Sequence, residues 1–267
     1  MTTNRGTFDG DIQEIEFVKA FNKDKLNSSF SIFTSNIDYD LTNVYMVRVT
    51  TNQFSRLSEK ITKTRSDCYA IYCEDEKIKN LLQEKDYYLN EDNIQGLDYI
   101  IIEKSGISIK MSDSDKYQIL KTGPNSFNAL FGCYELGAGA SLFCMRDNEL
   151  IKNKELVIGW NTTLENMKNY FDFVEESNDL ILNKDVCQKI KTFCNNKITE
   201  MIDNSLELQQ KIFNGYPIYN EPYSAWYLFS HGKLETLTYI PFTVTTGSGR
   251  SHGDYTIVLK PKKEDCN

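Results

Sequence analysis

Three short segments of this 267-residue chain carry side chains able to do chemistry. The first is Gly10-Asp11-Ile12-Gln13-Glu14-Ile15, at the opening of a predicted helix. The second is Lys63-Thr64-Arg65-Ser66-Asp67, which leads into a hydrophobic strand. The third is Ser105-Gly106-Ile107-Ser108-Ile109-Lys110. A carboxylate at a strand start, Asp67, can ligate Mg²⁺, a hard cation that takes oxygen ligands and keeps several waters. Side chains alternate along a strand, so Ser108 and Lys110 share one face, and Ile107 and Ile109 the other. The isoleucines then enter the core. Lys110 projects beside the metal, where it orients or helps deprotonate an attacking water. A second acidic ligand is required, and the residue two before the lysine is Ser108. Glu14, on a helix close to the sheet, is the candidate, with Glu16 in competition.

Two further features concern phosphate and base contacts. Between Arg48 and Arg65 there are five bases (Arg48, Arg56, Lys60, Lys63 and Arg65) against one acid, Glu59, a net of +4 just before Asp67. Phosphate contacts need such local positive charge. Of these residues, Arg56, Lys63 and Arg65 are the candidate DNA contacts. The loop from Thr245 to Asp254 contains Gly247 and Gly249, which allow close backbone approach. Its donors Ser248, Arg250 and His252 are candidate base or phosphate contacts, because arginine reads guanine bidentately and a β-ribbon fits the major groove. Each residue also has a plainer role. Asp67 can simply end a loop, Lys110 can be a solvated strand-end lysine, and Glu14 can be a first-turn helix acid. The basic stretch can be an ordinary surface loop, and residues 245–254 a hairpin tip.

These groups need elements to position them. Ile12, Ile15, Val18 and Phe21 recur at helical spacing, and Asp9-Gly10-Asp11 supplies capping chemistry, so a helix is predicted from about Asp11 to Asn22. Strands are predicted at Val44–Thr50, Asp67–Cys73, Leu97–Glu103 and Ile107–Lys110, with Lys116–Leu120 pairing back. Glu74–Glu84 and Asn125–Phe131 read as helices. Ala140–Met145 reads as a buried strand after a flexible Gly137-Ala138-Gly139. Thr163–Glu176 and Asp185–Phe213 read as helices, the second uninterrupted by glycine or proline. Tyr223–Phe229 and Leu234–Thr238 flank the hairpin signal Ser230-His231-Gly232-Lys233. Phe242–Thr245 and Tyr255–Leu259 flank the loop that carries Arg250. The order predicts an α/β fold, a mixed-sheet core flanked by helices with a C-terminal helical and β-hairpin addition. A soft boundary near residue 160 separates a catalytic core, 1–160, from a probable recognition region, 161–267.

Composition removes other classes. Acids outnumber Lys plus Arg by 38 to 30, a net charge of −8, which argues against a surface that is basic all over but allows a basic cleft. No run approaches 18 apolar residues, so no membrane span or membrane partner is expected. The N-terminus has no apolar signal region. Seven scattered cysteines read as reduced thiols, pointing to a cytoplasmic location. Two histidines and no CxxC pair argue against a structural zinc site and a His-centred zinc hydrolase. A Ser or Cys nucleophile lacks a GxSxG-type elbow.

The ordered motifs resemble the PD-(D/E)xK nuclease superfamily, and more narrowly type II restriction endonucleases of the HpaII kind. The matching residues are Gly10, Asp11, Glu14 and Ile15; Arg65 and Asp67; and Gly106, Ser108, Ile109 and Lys110. They span roughly residues 4 to 121. Ser108 stands where the superfamily has an acid, and Arg65 where the narrower group has lysine. The resemblance implies a Mg²⁺-dependent, sequence-specific endonuclease of double-stranded DNA that leaves 5′-phosphate and 3′-hydroxyl ends. It implies catalytic residues Asp67, Lys110, Glu14 and Ser108, with the metal held by Asp67, Glu14 and the Ile109 carbonyl. One active centre per chain calls for a homodimer or two successive binding events. A restriction function implies a matching DNA methyltransferase in the host. The alternatives are a repair or mobile-element nuclease on the same core, or a non-catalytic DNA-binding protein.

Overall fold

The computed structural model describes residues 5–110, 117–246 and 255–262, with side chains from residue 10 onward. In chain order the helices are α1 (Arg5–Lys23), α2 (Ser31–Thr34), α3 (Lys77–Glu84), α4 (Pro124–Phe131), α5 (Tyr134–Ser141), α6 (Asn153–Gly159), α7 (Leu164–Tyr170), α8 (Asp179–Leu182), α9 (Lys184–Asp203) and α10 (Leu206–Gln209). The strands are β1 (Val44–Arg48), β2 (Gln53–Ser55), β3 (Lys60–Thr62), β4 (Cys68–Tyr72), β5 (Ile100–Ile101), β6 (Ile107–Ile109), β7 (Leu120–Thr122), β8 (Tyr227–Ser230), β9 (Lys233–Thr236), β10 (Phe242–Thr246) and β11 (Ile257–Pro261). The chain forms two compact units, residues 1–115 with 213–239, and 116–212 with 240–267. Residue 160 falls inside the second.

The first unit is built on a mixed sheet of order β1-β4-β6-β8-β9, with β5 pairing the far end of β4. β1, β4 and β6 are antiparallel neighbours, β8 runs parallel to β6, and β9 returns antiparallel. The return is a two-residue turn in which His231 and Gly232 both have positive φ, 51° and 73°. That is the backbone twist a tight hairpin requires. Alternation along β1 sends Val44 and Met46 to one face of the sheet and Tyr45 and Val47 to the other. α1 covers the first face with Phe17, Val18 and Phe21, together with Cys68, Ala70, Ile107 and Ile109 of the sheet. α3 covers the second face with Ile78 and Leu82 against Tyr69 and Ile71.

α1 starts earlier than its periodicity suggests, so Asp9-Gly10-Asp11 lies inside the helix and does not cap it. Leu97–Glu103 forms a strand only at Ile100–Ile101. The basic stretch from Arg48 to Arg65 is not a plain loop. It contains the β2–β3 ribbon, turned through residues 56–59.

The second unit has its own sheet of order β10-β11-β7. β7 pairs with β11, so the segment after Lys110 joins a different sheet and does not pair back on β6. Ala140–Met145 reads as a strand but forms none: Ala140 and Ser141 end helix α5 (Tyr134–Ser141) and residues 142–145 are irregular. The α5 glycines are contact points between helices. A Cβ on Gly137 would fall 2.2 Å from the Trp160 ring, and one on Gly139 2.5 Å from Cys194 Sγ. The long helix expected at Asp185–Phe213 breaks after Asp203, where Ser205 Oγ accepts from Leu208 N–H at 3.2 Å and starts α10. Thr163–Glu176 is helical only over Leu164–Tyr170. Among the described residues, no helix is long and apolar enough to cross a membrane.

Candidate active site

The helical spacing that buries Phe17, Val18 and Phe21 places Glu14 and Asp11 on the same stripe, one turn and two turns nearer the N-terminus. Arg48 ends β1 on the face of Val44 and Met46, the face that α1 covers. Its guanidinium bridges the two acids, with Nε donating to Glu14 Oε2 and Nη2 to Asp11 Oδ1, both at 2.7 Å. The Arg48 and Glu14 side chains are only 17% and 20% exposed, so this is an enclosed ion pair. Burial and the nearby charge of Asp67 push the Glu14 carboxyl above its ordinary pKa, and the bond from Arg48 opposes them.

Asp67 lies just before β4. Its backbone N–H donates to the Ile107 carbonyl at 2.8 Å. Its Oδ2 accepts from the Ile109 N–H at 2.6 Å and from Ser108 Oγ at 3.3 Å. Carbonyls of alternate strand residues point to the same side, so that of Ile109 faces the Asp67 side of β6, as that of Ile107 does. Lys110 follows β6, is half-buried, and donates its N–H to the Phe229 carbonyl at 2.8 Å. By alternation its side chain shares a face with Ser108.

A cavity of about 260 Å³ opens here, lined by Asp11, Glu14, Arg48, Lys63, Ser66, Asp67 and the 49–52 segment. Thus Glu14, Asp67 and Lys63 come together in one cleft. Ser108 joins through its bond to Asp67, and Ile109 through its N–H. Glu16 is exposed on another side of α1 and does not line the cleft. Lys110 is not among the lining residues either. Arg56 is exposed at the ribbon turn, where Nη2 donates to Asn220 Oδ1 at 2.8 Å. Arg65 packs its stem under Gly215, whose absent Cβ would fall 2.3 Å from Arg65 Cγ. Ser248, Arg250 and His252 lie outside the described residues.

Sequence motifs named Asp11 and Arg48 without giving them this role. The signals were present: Asp11 is three residues before Glu14 on a helical stripe, and Arg48 is two after Met46 on a strand face. Glu91 was not singled out at all. Its Oε2 accepts from the Thr50 and Thr51 N–H groups, both at 2.8 Å, which fixes the cleft wall. Residues 89–91 reach that place by running beside Arg48, whose N–H donates to the Leu89 carbonyl.

No protein-family model matches the chain, and no curated protein matches it.

Among the described residues, no group of three or more His, Cys, Asp or Glu side chains is arranged to hold a metal ion. The carboxylates that share the cleft with Asp11 are those of Glu14 and Asp67, and Asp67 is tied to β6 through the Ile109 N–H. The Glu14 carboxyl is pushed up first by burial and second by the nearby charge of Asp67. Carboxylate oxygens are the donors Mg²⁺ takes, and Mg²⁺ needs few protein ligands. Arg48 is the resident counter-charge for Glu14, and any metal there shares the carboxylate with it.

Proposed function

We propose that this protein is a Mg²⁺-dependent type II restriction endonuclease that hydrolyses double-stranded DNA at specific sequences. The observation that carries the reading is the convergence on one cleft of Asp67, at the start of one strand, and Glu14, on the covering helix. The Ser108-Ile109-Lys110 strand is the antiparallel neighbour bonded to Asp67. This agrees with the order of motifs that resembles the PD-(D/E)xK nucleases.

In this reading Asp67 and Glu14 would hold Mg²⁺, with the Ile109 carbonyl as a third oxygen. Asp67 Oδ2 accepts from the Ile109 N–H and from Ser108 Oγ, which fixes the orientation of the carboxylate. Bound Mg²⁺ supplies charge neutralisation at the scissile phosphate and a more acidic water. Lys110, which follows β6 on the face of Ser108 and outside the cleft lining, would help to position the attacking water. The water oxygen forms the new bond to phosphorus, the bond to the 3′-oxygen breaks, and the leaving oxygen takes a proton. The products are a 5′-phosphate and a 3′-hydroxyl. Lys63, on the cleft wall, provides phosphate contact with Arg56 nearby on the ribbon, and Ser108 keeps the Asp67 carboxylate oriented. With one centre per chain, a double-strand cut takes a homodimer or two binding events, and the host carries a protecting methyltransferase.

A non-catalytic DNA-binding protein is the second reading. Ser108 in the place of an acid and the Arg48 bridge to Glu14 favour it. Unmethylated phage and plasmid DNA incubated with Mg²⁺ or with EDTA separates the two. The nuclease gives discrete fragments with 5′-phosphate ends in Mg²⁺ only. A binder retards the DNA and leaves it intact at every Mg²⁺ and Mn²⁺ concentration.

A further inference from the structure

The β2–β3 ribbon rises beside the cleft. Asn52, just before β2, and Lys63, just after β3, are both lining residues. One face of the ribbon is anchored. Arg56 N–H donates to the Ile218 carbonyl at 3.1 Å, and Thr62 Oγ1 and the Tyr219 hydroxyl share a hydrogen bond of 2.7 Å. Tyr219 also bonds the Lys63 carbonyl, and Ser55 is buried. The opposite face is outward and apolar. Phe54 and Ile61 are direct cross-strand partners and are 57% and 71% exposed. The other face of the strand pair carries buried Ser55 and half-buried Thr62, so the exposure of Phe54 and Ile61 is set by register. The ribbon as a whole is basic: Arg56 lies at its turn, Lys60 on the face of Ser55 and Lys63 after β3, all exposed, with Glu59 as the single acid.

We infer that this ribbon face binds duplex DNA and inserts the Phe54–Ile61 pair between base pairs next to the cleft. The inference rests on the nuclease reading for the class of partner. Two features select DNA as the occupant. The ribbon is locally basic on an acidic chain, which matches a polyanion. It is also continuous with the cleft in which a scissile phosphate would lie. Apolar wedges on anchored scaffolds unstack base steps and open the duplex, and that distortion brings one strand's backbone toward Asp67 and Glu14. The rigid anchoring on residues 218–223 keeps the wedge at a fixed distance from the carboxylates.

The test uses the full chain and its Phe54→Ala/Ile61→Ala variant, both with Ca²⁺ in place of Mg²⁺. Binding is read by anisotropy on a fluorescein-labelled random-sequence 40-base-pair duplex. Unstacking is read as the linking-number change left in a plasmid relaxed by a metal-independent topoisomerase. The wild type is expected to lower the linking number and the variant to leave it unchanged, with affinity about ten-fold weaker. Both side chains are exposed, so circular dichroism and melting temperature should match. A variant that binds and unwinds like wild type overturns the inference. So does a wild type that binds without unwinding, or one whose dimer dissolves in the variant while DNA binding stays unchanged. A wild type that unwinds the plasmid in Ca²⁺ yet cuts nothing in Mg²⁺ leaves the wedge standing and removes the nuclease reading.

Discussion

Arg48 carries the electrostatics of the cleft at the residue scale. It is the cation between Asp11 and Glu14, with Asp67 beside them. Removing one member of an enclosed ion pair leaves its partners uncompensated. Arg48→Met is therefore expected to lower stability by about 1–3 kcal/mol in EDTA. Millimolar Mg²⁺ should restore part of the loss, because the vacated carboxylates gain a second cation. Thermal melts of the variant with and without Mg²⁺ check this, and equal melting temperatures in the two would contradict it. A second residue gives a pH signature away from the cleft. Lys25 Nζ lies 4.1 Å above the Tyr45 ring and donates to the Leu41 and Thr42 carbonyls at 3.0 Å. Burial lowers its pKa to about 8. The unfolded chain holds that proton up to about pH 10.4. Between these values the folded state binds fewer protons, so stability rises with pH across this window. Urea unfolding at pH 8 and pH 10 should show the wild type gaining on Lys25→Met. A constant difference between the two proteins would refute the assignment. The cleft was partly legible at this scale. Alternation gives the face of Ser108, and the motif order singles out Asp67 and Glu14, whereas the Arg48 bridge depends on α1 crossing the end of β1, which no single segment encodes.

At the element scale, β6 and β8 are the parallel pair that fixes Lys110 relative to Asp67. Their approach depends on Gly106. Its carbonyl accepts from the Trp226 and Tyr227 N–H groups at 2.7 and 3.2 Å, and a Cβ there would fall 1.9 Å from the Ser224 carbonyl oxygen. Backbone cannot move aside as a side chain can. Gly106→Ala should cost about 1–3 kcal/mol or more and weaken any cutting with it. A melting temperature within a degree of wild type would show that the pair adjusts freely. β1, β4 and β6 were legible as short β-branched and aromatic runs. α5 was not. The apolar run that follows Gly139 reads as a strand, and the α5 glycines look like breakers until Trp160 and Cys194 are seen packed against them.

For the whole molecule, the first unit is interrupted between β6 and β8 by the chain that builds most of the second. Composition marks this only faintly, with a short polar run at residues 112–116, and the parallel pairing joins strands over a hundred residues apart. The mixed α/β class was readable from element order, but the discontinuous organisation was not. The central claim is that the cleft of the first unit cuts DNA. The most direct measurement is cleavage of unmethylated plasmid by wild type, Asp67→Asn, Glu14→Gln and Lys110→Ala in parallel, in Mg²⁺ and in EDTA, with circular dichroism on each protein. The account predicts discrete Mg²⁺-dependent fragments from wild type and at least a hundred-fold slower cutting, roughly the scale of a lost catalytic group, from each folded variant. Intact plasmid with wild type, or undiminished cutting by Asp67→Asn, would contradict it.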